Sequence, residues 1–345
     1  MKTSTLPVPP HFDPKTIEEV RRVDYGRIAD TAFTWAREHE LIPSTRDQRR
    51  IGLLLVDCQN TFCTPGFELF VGGRSGHAAV DDSKRLCEFI YRNLGTISQV
   101  VVSLDTHMAM QVFHPAFLVN DKGEHPAPYT MISVDDVESG RWRANAALSE
   151  IIEGGTQSDL QRYLIHYCRQ LKQRSKYELM IWPYHAMLGG VGHALVPAIE
   201  EALFFHTIAR QSQVEFVIKG ANPLTENYSV FSTEVTTDEN GNSIAQKNTP
   251  FLKQVMAFDA VIIAGQAKSH CVAWTVDDLL VEIENRNPSL IKKIYLLEDC
   301  MSPVVVPGGA DFTEQADKAF ERFAKAGMNI VKSTEPISSW PGMAV

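Results

Sequence analysis

Residues able to do chemistry close a series of apolar runs. Asp57 ends IGLLLVD (51–57), Asp105 ends SQVVVSLD (98–105), Lys219 ends VEFVIK (214–219), and Cys271 follows FDAVIIAG (258–265) across a short turn. A carboxylate, an ammonium and a thiol form a coherent set: the ammonium stabilises a thiolate, and the acid takes the thiol proton and returns it to a leaving group. Cys271 falls where a helix opens, and the unpartnered N–H groups of a first helical turn favour negative charge on a thiol or an oxyanion. The same position suits a small buried cysteine with no reactivity. Taken singly, an acid at a strand end is a cap or turn former, and a lysine there is solvated. A second set is D-x-H-x6-H, comprising Asp105, His107 and His114, with His185 following Trp182-Pro183. Imidazoles with a carboxylate suit zinc, iron or manganese with open positions for water. A hydrogen-bonded structural histidine beside a proline turn fits His114 or His185 as well.

The elements that must position these residues follow from hydrophobic pattern. The runs 51–57, 98–105, 214–219, 258–264, 292–299 and 328–333 read as strands, several of them continuously apolar, as strands covered on both faces require. Helical spacing marks 16–39, 78–94, 159–173, a short helix after the Gly-rich turn at 189–192, a helix behind Cys271, and 312–326. YELMIW (177–182) reads as another strand or the approach to one, the stretch 222–250 as mostly loop, and its Asn240-Gly241-Asn242 as a hairpin tip. Strands alternating with helices predict one doubly wound α/β domain with a mostly parallel sheet. Ligands bind such sheets at the carboxyl ends of the strands, so residues distant in sequence share one crevice. Residues 1–48 read as an N-terminal extension packing on the body, 49–335 as the main domain, about 118–176 as an insertion near the site, and 336–345 as a tail.

Five segments in order, VDCQNTFC (56–63), LDTHMAMQVFH (104–114), WPYH (182–185), KGAN…YSVF (219–231) and GQAKSHCVAWTVDD (265–278), together resemble the nicotinamidase branch of the isochorismatase-like cysteine hydrolases. The resemblance covers roughly 50–335 apart from the insertion. It implies a six-stranded Rossmann-like sheet with helices on both faces. It also implies a Cys–Lys–Asp catalytic set on Cys271, Lys219 and Asp57, and a divalent metal, zinc favoured with iron or manganese open, on Asp105, His107, His114 and His185. Phe62 and Trp182, with Tyr228 a looser candidate, would stack on a substrate ring, although Phe62 and Trp182 also suit an ordinary core. The oxyanion donors would be the N–H groups of Ala267 and Cys271, with a cis peptide at Gln266–Ala267. His270 is adjacent to the nucleophile, but successive residues on a helix point about 100° apart and Asp57 already supplies a base. The chain departs from the family pattern in Ala186 after His185, in Lys268-Ser269 within the turn, and in its two extra segments.

Composition narrows the classes further. A formal net charge of -9 without a basic tract argues against nucleic acid. No apolar run approaches the roughly 20 residues of a membrane span, and the start shows no apolar signal core. The six cysteines have no paired disulfide or zinc-ribbon spacing, so a reducing cytoplasm is the expected compartment. The activity the resemblance implies is hydrolysis of nicotinamide or another small aromatic amide, with a homo-oligomer left open. The alternatives are a family amidase acting on a different amide or N-carbamoyl compound, and a catalytically silent binding protein using the same crevice.

Overall fold

The computed structural model describes residues 5–152 and 155–343; positions 1–4 of the N-terminal segment, 153–154 of the insertion and 344–345 of the tail lie outside them. Strands β1 (Ile51–Val56), β2 (Gln99–Asp105), β3 (Glu215–Lys219), β4 (Ala260–Gly265), β5 (Ile294–Leu297) and β6 (Asn329–Val331) form the central sheet. Their order is β6-β5-β4-β1-β2-β3, and every neighbouring pair is parallel. β1 and β4 are buried along their whole length. Alternate residues divide between two cores, Leu53, Leu55 and Ile262 facing one and Leu54, Val56 and Ile263 the other. On the first face lie α1 (Tyr25–Glu38), α2 (Ala78–Arg92), α3 (Gln157–Gln173) and α4 (Pro197–Arg210), contributing Trp35, Phe89, Tyr163 and Phe205. On the second lie α5 (Thr249–Met256), α6 (Ala273–Arg286) and α7 (Thr313–Ala326), contributing Phe251, Val276 and Phe323. The doubly wound sheet expected from the strand pattern is present, and it is parallel throughout.

From β1 the chain winds outward through β2 to β3, then returns to lay β4 on the other side of β1 and continues to β5 and β6. The order reverses between β1 and β4, so a crevice opens at their carboxyl ends. The two strands meet closely there. A Cβ on Gly265, whose φ is +120°, would lie 2.0 Å from the Val56 carbonyl oxygen.

Several local expectations change. The first long helix begins at Tyr25 rather than near residue 16, because the Asp24 side chain caps the Arg27 N–H. Val20 is 48% exposed, whereas Ile17 and Val23 are buried. The run 177–182 contributes only Leu179–Met180, paired antiparallel with Met131–Ile132 outside the main sheet. The helix after the Gly-rich turn is α4, longer than expected at 14 residues. A helix absent from the sequence reading, α5, forms where Asn248 caps the Phe251 N–H and Pro250 fits the first turn. At 8 residues it is too short for its spacing to stand out.

The terminal segments pack on the first face. His11 stacks on Phe205 with ring centroids 5.1 Å apart, and Arg21 pairs with Glu201 at 3.1 Å. Trp340 stacks on Phe89 at 5.9 Å. Among the described residues no helix is long and apolar enough to cross a membrane.

Candidate active site

Asp57 follows β1, Asp105 ends β2, Lys219 ends β3, and Ala267 to Cys271 form the turn after β4, so parallel register alone brings all of them to one sheet edge. Lys219 Nζ lies 3.0 Å from Asp57 Oδ2, 2.9 Å from Asp105 Oδ1 and 3.6 Å from Cys271 Sγ. It also donates to the Asn227 carbonyl at 2.8 Å. Asp57 has φ +48°, a left-handed conformation that aspartate tolerates, and its Oδ1 accepts from the Ser103 hydroxyl at 2.6 Å. The strand pattern and the motifs thus converge on a real cluster of acid, ammonium and thiol.

The turn itself supplies a donor. Gln266 N–H bonds the Val56 carbonyl and Lys268 N–H bonds the Ser302 carbonyl, each at 2.8 Å, while the Ala267 N–H between them has no partner among the described residues. The Gln266–Ala267 peptide is cis, as the resemblance implied. Residues 268–272 form a π-type turn leading into α6. Cys271 and Ala267 are both buried at the wall of one pocket.

The second set also assembles, in part. Ligand atoms of Asp105, His107 and His185 lie within 4.8 Å of one another. His107 Nε2 is 2.8 Å from Asp105 Oδ2, and His185 Nε2 is 3.8 Å from the same oxygen. Each imidazole gives its Nδ1–H to a backbone carbonyl: His107 to Gly220 at 3.1 Å, His185 to Pro183 at 2.8 Å, and His114 to Met108 at 3.0 Å. That leaves Nε2 of His185 and His114 with a lone pair, the tautomer a metal ligand needs, fixed by the hydrogen bond at the other nitrogen, whereas His107 Nε2–H donates to Asp105 Oδ2 and gives up that proton to ligate. The His114 Nε2 is buried without a partner, yet His114 falls outside the close trio, its ring centred 5.8 Å from that of His107. This donor set fits a divalent cation.

No family model matches the chain, and no curated protein matches its sequence. Solved structures do resemble it. A yeast nicotinamidase bound to the inhibitor nicotinaldehyde aligns with TM-score 0.51 at 19% identity, over 82% of this chain and 99% of that one. A nicotinamidase/pyrazinamidase from Acinetobacter baumanii aligns with TM-score 0.48 at 20% identity, over 84% and 99%. A pyrazinamidase from Pyrococcus horikoshii in complex with zinc aligns with TM-score 0.42 at 16% identity, over 82% and 99%. The fold is the isochorismatase-like α/β fold.

Within that fold the pocket has an aromatic side. Phe62, Trp182 and Tyr228 all line it, and Trp182 Nε1–H donates to the Tyr228 hydroxyl at 3.0 Å. His270 lines it too, and the Ser269 hydroxyl lies 2.8 Å from its Nδ1. Three further lining residues escaped the sequence reading: Leu69, Val304 and Glu226. Glu226 is buried, and burial raises its carboxyl to about 7 despite the nearby His107 charge. Nothing in its local sequence separates it from an ordinary loop acid. The insertion braces this wall through Tyr167 on α3, which accepts from the Glu226 N–H at 3.2 Å, and just beyond the insertion Tyr177 donates to the Ser269 carbonyl at 2.9 Å.

Electrostatics correct one expectation. Burial pushes the Cys271 thiol well above its ordinary range, and although Lys219 opposes this, Asp57 and Asp105 add to it. Burial outweighs the pull of the ammonium on the sulfur, and Lys219 is besides shared by two carboxylates. Burial likewise raises Asp57 against the pull of Lys219, which suits it to hold a proton. Asp105 behaves in the opposite way. Burial works to raise it, but the His107 and Lys219 charges overcome that and keep it ionised. Burial lowers His185 to about 3 and His114 to about 4, so both are neutral and able to ligate.

Proposed function

We propose that the chain is a cysteine-dependent amidohydrolase acting on a small aromatic amide, nicotinamide first among them. The observation that carries the reading is the buried Lys219 ammonium, 3.6 Å from the Cys271 sulfur and 3.0 Å from Asp57, beside the free Ala267 N–H. The nicotinamidases that share the fold support the choice of substrate.

The Cys271 thiol gives its proton to Asp57 as sulfur bonds the amide carbon and the carbonyl π electrons move to oxygen. The N–H groups of Ala267 and Cys271 receive that oxyanion, a contact worth roughly 3–4 kcal/mol per donor in other enzymes. Asp57 then passes its proton to the amide nitrogen, the C–N bond breaks, and ammonia leaves a thioester. Asp57 takes a proton from the attacking water, the C–S bond breaks, and sulfur recovers the proton as the acid departs. Lys219 stays charged and steadies Asp57 at each transfer. Phe62, Trp182 and Tyr228 hold the ring between them. Asp105, His107 and His185, with His114 as a more distant fourth nitrogen, would hold a divalent cation, zinc favoured with iron or manganese as alternatives. Such a cation supplies a Lewis-acidic position for the ring nitrogen. The six free cysteines support a reducing, cytoplasmic setting.

The test is ammonia release from nicotinamide, pyrazinamide and aliphatic amides, with and without chelator. Turnover of the pyridine and pyrazine amides is expected. Absence of ammonia from every amide with metal-loaded protein overturns the reading.

A further inference from the structure

We infer that Asp82 is a positioning residue for the oxyanion donor of this site, acting on the Ala267 N–H through the side chain of Gln266. The inference rests on the amidohydrolase reading and adds to it a residue outside the pocket.

Asp82 lies on α2 with 3% of its surface exposed and touches none of the reacting groups. Its two oxygens are divided. Oδ1 accepts from Arg85 Nη2 at 2.7 Å, and Oδ2 accepts from Gln266 Nε2 at 2.8 Å. Arg85 is itself held, its Nε donating to the Asp299 carbonyl. The other end of the Gln266 amide is bonded as well, Oε1 accepting from the Ser302 N–H at 3.2 Å. Gln266 therefore has every polar group fixed except its own carbonyl: backbone N–H on β1, side-chain donor on α2, side-chain acceptor on the segment after β5. On the far side of Ala267, Lys268 N–H bonds the Ser302 carbonyl. The Ala267 N–H, without a partner among the described residues, is suspended between two anchored residues.

Such anchoring matters for an oxyanion contact because the donor must stand 2.7–3.1 Å from where the charge develops, before it develops. A hydrogen bond to an ionised acceptor is about twice as strong as a neutral one, so Asp82 is the firmest of the Gln266 contacts. As a device for stability alone it is a poor choice, since buried ion pairs contribute little beyond an apolar replacement of the same shape. Where the side chain at 266 is held to α2 by a charge-assisted bond, its peptide cannot swing away from the pocket.

Two variants of the full-length protein test this. Gln266→Met keeps the side-chain length and removes both side-chain hydrogen bonds; Asp82→Ala removes the anchor and leaves Gln266 in place. The readouts are kcat and KM for nicotinamide, inhibition by nicotinaldehyde, and inhibition by nicotinate. The aldehyde reports the donor because the thiol adds across its C=O: a C–S bond forms, the π bond opens, and the thiol proton moves to Asp57 or the new oxygen. Nicotinate reports ground-state binding. Both variants should lower kcat and aldehyde affinity by about 10- to 100-fold while KM and nicotinate inhibition stay within about 2-fold. Wild-type kcat in Gln266→Met overturns the inference, and so does nicotinate affinity that falls as far as kcat. If Asp82→Ala fails to fold, Asp82→Asn decides: it keeps the side chain's shape and removes the charge that holds Gln266, and a wild-type kcat in a folded Asp82 variant overturns the inference. A wild-type protein that releases no ammonia overturns the amidase reading instead, and the two failures are distinguishable.

Discussion

Lys219 Nζ lies 3.0 Å from Asp57 Oδ2 although β2 separates their strands. The lysine side chain crosses the carboxyl end of β2, where Asp105 meets the same ammonium at 2.9 Å. One cation compensates two buried acids, and the thiol beside them feels what charge is left. Three consecutive strands of the sheet are joined at their ends by this one group.

Lys219→Met leaves both carboxylates buried without a counter-charge. Breaking a buried pair from one side costs about 3–5 kcal/mol. The expected result is a loss of that order in urea unfolding together with loss of amidase activity.

Cys271→Ala should abolish ammonia release while changing stability by no more than about 1 kcal/mol, because only a small side chain leaves a pocket wall. Activity assays paired with thermal unfolding check this. Near-full turnover in the folded variant would end the thiol mechanism.

His107→Ala should lose bound metal, measured by elemental analysis after dialysis, because it removes one nitrogen from the close trio and the Asp105 partner with it. His114→Ala should retain most of the metal, since its ring stands apart. Equal losses in the two variants would place His114 among the primary ligands.

Gly220→Ala tests how tightly the two sets interlock. Gly220 has φ +88°, and an added Cβ would stand 2.7 Å from Asp105 Oδ1 and 2.8 Å from the His107 ring. The expected outcome is a protein destabilised by about 1–3 kcal/mol and deficient in metal by the same dialysis measurement.

Stability should fall in acid through His206. Its Nε2–H donates to the Ile97 carbonyl at 2.9 Å, and its Nδ1 is buried without a partner. Burial, with the Arg210 charge, lowers the imidazole from 6.5 to about 4. The unfolded chain therefore binds the proton first as pH drops. Stability is intact above 6.5 and is lost as pH falls through the window down to about 4, by about 3 kcal/mol for this group. His206→Gln, which keeps a side-chain N–H, should flatten that limb of the stability profile measured by denaturant unfolding.

The sequence by itself determined the strands and where their polar ends fall. Val, Ile and Leu runs such as 51–56 and 260–265 are apolar at every position, so they announce burial on both faces, and the acid or lysine at each end marks the edge that ligands reach. It placed Asp57, Asp105, Lys219 and Cys271 at one edge because parallel strands deliver their carboxyl ends to one side whatever their order, and the motifs added His107, His114 and His185, of which His114 stands outside the close trio. It left three things undecided that contacts between distant segments control. How far the thiol is pushed up depends first on its burial and then on the carboxylates that share Lys219, which is a matter of packing and of distances across β2. Glu226, Leu69 and Val304 reach the pocket from loops with no periodicity to aim them. Asp82 reads as an ordinary acid in a helical stretch, and only the packing of α2 against the turn after β4 brings it to Gln266. Local pattern fixes which face of an element is buried; what that face then meets is decided by the rest of the chain.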